Sequence, residues 1–179
     1  MVRVRLHKQD GFALIDLIFV CGMIGLISSI AVPRLLLARQ SASAASAIGS
    51  MRAINSAELS YAISCGSGFY APKLTTLGTA PLGTTEPFVS PDLGSADSVT
   101  KSYYLIQLAA APFVGAPPTC NGVPSDTAGR GYRAAADALE PNNTRFFATN
   151  SGGTIYEDTT SFFAVMPEYD DPAQGHILR

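Results

Sequence analysis

The chain has 179 residues, of which 47% are hydrophobic and 15% are charged, and its formal net charge is -2. A chain of this length has room for about one folded domain in addition to an anchor. The absence of a net positive charge argues against a dedicated DNA-binding protein, and we infer no nucleic-acid partner.

A basic leader precedes the longest apolar segment of the chain. Residues 1–11 carry three basic side chains and one acid. Residues 12–32 are predominantly apolar, with Asp16 as the single charged residue, and as a helix they would extend about 30 Å, which is enough to cross the hydrocarbon core of a bilayer. The positive charge of the leader predicts that the amino terminus stays in the cytoplasm and that the rest of the chain is exported.

The apolar segment continues into a second helical stretch, residues 33–64. It contains no proline after Pro33 and is rich in good helix formers, so we predict an amphipathic helix that ends near Ser64. Pro33 itself predicts a helix kink where the chain leaves the membrane. The predicted apolar stripe consists of Ala44, Ala47, Ile48, Met51, Ile54, Leu59 and Ala62, beside the polar positions Ser43, Arg52, Asn55 and Glu58.

Residues 65–179 are predicted to form an exported globular region with loops and a small antiparallel sheet. The glycine-containing run 65–68 ends the helix, and residues 69–99 show neither the helical nor the strand period, so we expect an ordered loop there. The predicted strands are 101–110, 131–139, 145–150 and 154–158, the last two joined by a tight turn. A long helix followed by such strands is an α+β pattern.

The three cysteines fall into two groups. Cys21 lies within the apolar segment, where we expect an unpaired thiol that behaves as a small hydrophobic side chain. Cys65 and Cys120 lie in the exported region, and in an oxidising compartment a disulfide between them is the simplest prediction. Two unpaired buried thiols are the alternative.

The amino-terminal residues carry a recognisable combination of features. The run G-F-A-L-I-D-L-I at 11–18, after a basic leader and before a long apolar helix with A-V-P at 31–33, resembles the cleavage and methylation motif of type IV pilins and pseudopilins. The resemblance covers roughly residues 1–60. It implies a pilin-like fold, in which a long amino-terminal α-helix with a transmembrane first half carries a small carboxy-terminal antiparallel β-sheet.

The same resemblance implies roles for individual residues. A prepilin peptidase would cut between Gly11 and Phe12 and methylate the new amine of Phe12. Asp16 stands where the family usually has glutamate, and it would pair with the Phe12 amine of a neighbouring subunit during assembly. The partners would be identical or related pilin subunits in a helical filament. The protein would span the bacterial inner membrane once, with its carboxy-terminal domain in the periplasm, before it enters an extracellular filament.

Other functions find less support in the sequence. We expect no enzymatic activity, no cofactor and no metal site, because the chain has no G-x-S-x-G, H-E-x-x-H or C-x-x-C pattern. A pseudopilin of a type II secretion system, or a minor pilin for adhesion or DNA uptake, remains an alternative. So does a secreted enzyme or binding protein behind an ordinary signal peptide that is cleaved near residues 42–44.

Overall fold

The computed structural model describes residues 14–178, which fall into two units, one ending at Gln40 and the other beginning at Ser41. The division lies within helix α1, Leu14–Ser64. The helix ends at Ser64, as predicted from the sequence. Pro33 lies inside α1 and does not interrupt it. A proline lacks only one backbone donor, so a long run of good helix formers on both sides sustains the helix across it.

Two single-turn helices follow α1 in the segment that we predicted to be an irregular loop. They are α2, Leu74–Leu77, and α3, Pro91–Gly94. Each has four residues, which is too short to produce a helical period in the sequence. The two helices pack through their glycines, since a Cβ added to Gly78 would lie 2.3 Å from the carbonyl oxygen of Gly94.

A six-stranded antiparallel sheet forms the rest of the second unit, and its strands are adjacent in chain order. They are β1, Ser98–Lys101; β2, Tyr104–Ala109; β3, Arg133–Ala138; β4, Phe146–Asn150; β5, Ile155–Asp158; and β6, His176–Ile177. The predicted strands coincide with β2, β3, β4 and β5, and the predicted hairpin joins β4 to β5. The strands β1 and β6 were not predicted from the sequence.

Buried side chains cover both faces of this sheet. One face packs with the second half of α1, and Tyr104, Ile106 and Phe147 are among its fully buried members. The opposite face packs with Phe162 and Met166 of the segment between β5 and β6. Because successive side chains of a strand point to opposite faces, neighbours such as Phe147 and Ala148 join different clusters.

The buried stripe of α1 differs from the predicted stripe at Leu59, at Glu58 and at Ser43, a predicted polar position that is 7% exposed. Leu59 is 57% exposed, whereas Glu58, predicted to be a polar surface position, is fully buried. The buried side chains continue from Ile54 to Ala57, Glu58 and Tyr61, in steps of three and four residues. The predicted step from Ile54 to Leu59 spans five residues, which turns the side chain about 140° away from the stripe.

Candidate functional site

The part of α1 in the first unit exposes an almost continuous apolar surface. Leu14, Ile18, Phe19, Ile27 and Ile30 are between 60% and 73% exposed, and no residue of its most apolar 18-residue window is buried within the chain. Within residues 14–178, α1 is the one helix that is long and apolar enough to cross a membrane. An exposed apolar surface of this extent is typical of a segment that contacts a membrane or other protein chains.

The predicted assembly and processing residues are placed as follows. Asp16 lies in the first turn of α1, and Pro33 lies inside the same helix. Cys21 is a free, exposed thiol within the described residues. Gly11 and Phe12, the predicted processing and methylation site, lie outside the described residues.

A disulfide joins Cys65 to Cys120, as the sequence predicted. It connects the residue after the end of α1 to the loop between β2 and β3, with their Cα atoms 4.9 Å apart. A backbone hydrogen bond of 3.3 Å, from the Cys120 N–H to the Cys65 carbonyl, links the same two residues. The disulfide joins residues that are 55 positions apart in the sequence. It stabilises the folded unit because it reduces the conformational entropy of the unfolded chain.

Glu58 is a buried carboxyl group that the sequence reading did not identify. Its side chain is fully enclosed, and burial raises its pKa to about 8, against a smaller lowering by the hydrogen bond that Oε2 accepts from the Ala71 N–H at 2.9 Å. The other oxygen, Oε1, has no hydrogen-bond partner among the described residues. Glu58 is therefore protonated at neutral pH, and it fixes the segment after the disulfide against α1.

Asn55 connects α1 to the sheet through three hydrogen bonds. Its Oδ1 accepts from the Tyr132 hydroxyl at 2.8 Å and from the Thr149 hydroxyl at 3.0 Å, while its Nδ2 donates to the Gly153 carbonyl at 3.0 Å. Tyr132 immediately precedes β3, Thr149 belongs to β4 and Gly153 to the turn before β5. The predicted polar position thus fixes the register between helix and sheet.

The acidic residues near the carboxyl terminus are occupied in structural contacts. Arg145 donates to both carboxylate oxygens of Glu157, at 2.5 and 3.0 Å, which holds the pKa of Glu157 below its ordinary value. Oε1 of Glu168 accepts from the Ala111 N–H at 2.6 Å, and Asp171 accepts from the Tyr156 hydroxyl. Within residues 14–178 no group of three or more His, Cys, Asp or Glu side chains is arranged to hold a metal ion.

One open cavity of about 620 Å³ lies beside this ion pair and is lined by Arg145, Glu157, His176, Ile177 and Leu178. The carboxylate of Glu157 is neutralised by Arg145, and its lowered pKa makes it a poor general base. The cavity therefore gives no specific support to catalysis.

No family model, curated protein or solved structure matches this chain. The class that its own structure defines is an α+β protein. It has one helix near the amino terminus that can span a membrane by length and composition, and a disulfide-bonded unit with a small antiparallel sheet.

Proposed function

We propose that this protein is a structural subunit of a type IV pilus or a related filament, processed by a prepilin peptidase and assembled through its amino-terminal helix. The observation that carries the proposal is the exposed apolar part of α1, which bears a carboxylate in its first turn. A plain membrane anchor has no need of an acid at that position. Acids within membrane-spanning segments are rare, costly and usually functional.

Asp16 would have different surroundings in the membrane and in the filament, and this difference explains its proposed role in assembly. A charged carboxylate near the membrane surface can reach water, whereas in a bundle of apolar helices it needs a cationic partner. The family resemblance supplies the Phe12 amine of a neighbouring subunit. Removing either partner of a buried ion pair costs about 3–5 kcal/mol, which is enough to bias a subunit against entering the filament.

The second unit fits an exported role. Its disulfide is of the kind that persists in oxidising compartments such as the periplasm. Its sheet has buried side chains on both faces, so the unit has a core of its own. These features support a domain carried on the outside of a filament, in a pilus or, as the alternative, in the pseudopilus of a type II secretion system or as a minor pilin.

The alternative function, a secreted enzyme or binding protein behind an ordinary signal peptide, is disfavoured by the packing around the expected cleavage site. Ser43 is 7% exposed and Ala44 is 1% exposed, and both lie inside α1. A chain cut there would begin inside the buried part of α1. The apolar stretch of about 20 residues also exceeds the 7–15 residues typical of a signal peptide.

The experiment is the intact mass and amino-terminal sequence of the protein recovered from cell envelopes and from sheared surface filaments. A chain that begins with N-methylated Phe12 and is found in the filament fraction supports the proposal. A mature chain that begins near Ser43 establishes the secreted alternative. A chain that begins at Phe12 but stays in the envelope points to the secretion pseudopilus instead of a surface pilus.

A further inference from the structure

Residues 14–40 contain three charged side chains, and the proposed function assigns a role to only one of them, Asp16. The other two are Arg34 and Arg39. Asp16 and Arg34 are separated by 18 residues, which is five turns of an α-helix, so their side chains lie on the same face about 27 Å apart along the axis. Arg39 lies five residues beyond Arg34, about 140° around the helix from this face.

The face between the two charges is entirely apolar. The positions that fall on it, four, seven, eleven and fourteen residues after Asp16, are occupied by Val20, Met23, Ile27 and Ile30, which are 48% to 68% exposed. Among the described residues neither Asp16 nor Arg34 takes part in an ion pair. At a separation of about 27 Å they cannot pair within one helix.

We propose that Asp16 of one subunit pairs with Arg34 of a neighbouring copy, so that the two helices are parallel and displaced by about 27 Å along their axes. The occupant of this face is a second copy of the chain, because the face carries an acid at one end, its complementary base at the other and only apolar side chains between them. With this displacement Asp16 of one copy and Arg34 of the other are level along the helix axes. The inference rests on the proposed function.

Pairing with Arg34 of one neighbour is compatible with a contribution from the Phe12 amine of a different neighbour. A carboxylate has two oxygens and can accept hydrogen bonds from two cations at once. The guanidinium group suits this role because it presents several donors in a planar fork and is less strongly hydrated than an ammonium group. The competing use of Arg34 is an individual contact with lipid phosphates at the membrane surface, which requires no partner on Asp16.

A charge exchange in the full-length protein tests the pairing, with incorporation into sheared filaments as the readout and with cleavage and membrane insertion measured alongside. We expect Asp16→Arg and Arg34→Asp each to lower incorporation by at least about tenfold. Their combination should recover at least about threefold over Asp16→Arg alone but not the full wild-type level, because the introduced arginine repels the Phe12 amine. The matched control combines Asp16→Arg with Arg39→Asp, and it should stay as low as Asp16→Arg alone.

Three outcomes would overturn the inference. The double exchange could be no better than the worse single variant. Arg39→Asp could rescue as well as Arg34→Asp, which would show a general charge effect. Or Arg34→Asp could lose membrane insertion and not assembly, which would assign Arg34 to lipid. A wild-type protein that is neither cut before Phe12 nor found in filaments would refute the proposed function itself, and with it the pairing. The wild-type sample alone shows that case.

A cross-link gives a second measurement that leaves both charges in place. In a Cys21→Ser background, subunits with Val20→Cys and subunits with Ala38→Cys are co-expressed, since these positions are also 18 residues apart and lie about 40° from the charged positions, on the same face. Oxidation of the filaments should yield disulfide-linked dimers at least about fivefold more abundant than for Val20→Cys with Ile27→Cys, two positions of the same face whose spacing corresponds to about 10 Å. Equal yields for the two pairs would contradict the proposed displacement.

Discussion

Glu58 provides the sharpest test of the packing of the second unit, because its protonation state links stability to pH. The carboxyl group is fully buried on α1, and burial raises its pKa from an ordinary value of 4.5 to about 8. The folded protein thus retains a proton that the unfolded chain releases above pH 4.5. The stability that this proton contributes is fully present below pH 4.5 and is lost as the pH rises through about 8.

The loss of stability depends on the width of the pH range between the unfolded-state pKa of 4.5 and the folded-state pKa of about 8. Each pH unit in which only the folded state holds the proton lowers the free energy of unfolding by about 1.4 kcal/mol. Across the whole window the loss reaches roughly 5 kcal/mol, which is comparable with the total stability of many domains, about 5–15 kcal/mol. The wild-type protein should therefore lose a large part of its stability between pH 5 and pH 9, the range to be assayed.

Replacing Glu58→Gln removes this dependence, because the amide is neutral at every pH in the range. Its oxygen can still accept the hydrogen bond from the Ala71 N–H, but its two N–H donors lie where the protonated wild-type carboxyl has only one unpaired O–H, so the variant buries one further unpaired donor. Burying unpaired donors costs about 1–3 kcal/mol, so the variant should be less stable than wild type at low pH. The two stability curves should cross between about pH 5 and pH 7, and above about pH 8 the variant should be the more stable protein.

The assay is guanidinium unfolding of the full chain in uncharged detergent, with the disulfide intact. The near-ultraviolet circular dichroism of the tyrosines follows the packing of the second unit, because the chain has seven tyrosines and no tryptophan. The matched control is Glu86→Gln, which alters an exposed carboxyl group of the same unit and should track wild type. Parallel profiles for wild type and Glu58→Gln across the range would refute the assignment of a buried, protonated Glu58.

The remaining predictions concern the disulfide, the contact between helix and sheet, and assembly. Replacing Cys65 and Cys120 by serine should lower the free energy of unfolding by about 4 kcal/mol, the chain-entropy value for a loop of 55 residues, as measured by the same assay. Asn55→Ala should cost about 1–3 kcal/mol, because two hydroxyl donors lose their acceptor, whereas Ser56→Ala at an exposed neighbouring position should be nearly neutral. Asp16→Ala should leave cleavage and insertion intact but lower recovery in filaments, with Asp16→Glu tolerated; normal recovery of Asp16→Ala would remove the role assigned to that carboxylate.

The sequence predicted the long helix and four of the strands, but not the single-turn helices or the two remaining strands. The end of α1 and four strands were predictable because their periods extend over five or more residues or stand next to glycine turns. The strand β1 was hidden because its turn uses Ser102 and Tyr103, both with positive φ, where a glycine would have marked a hairpin. The strand β6 has two residues, so it cannot produce an alternating pattern.

Buried polar side chains were the least predictable part of the candidate site. A carboxyl group on an amphipathic helix is normally exposed, and no feature of the local sequence distinguishes Glu58 from Arg52, which is exposed. Glu58 is buried because the chain after the disulfide folds back over α1 and presents the Ala71 N–H to it. That contact depends on tertiary structure. The pairing of Cys65 with Cys120 was easier, because residues 65–179 contain only these two cysteines.

The charges of the apolar helix explain why one sequence could serve both a membrane and a filament. Asp16 and Arg34 stand near opposite ends of the apolar stretch, so in a bilayer each can reach the water at its own surface, the arginine with its long side chain. In a filament core that water is absent, and the same two charges become costly unless neighbouring subunits bring them together. Under the proposed function, the residues that make the membrane state tolerable would thus select the displacement between subunits. An anchor without assembly would gain nothing from placing them on one face, five turns apart.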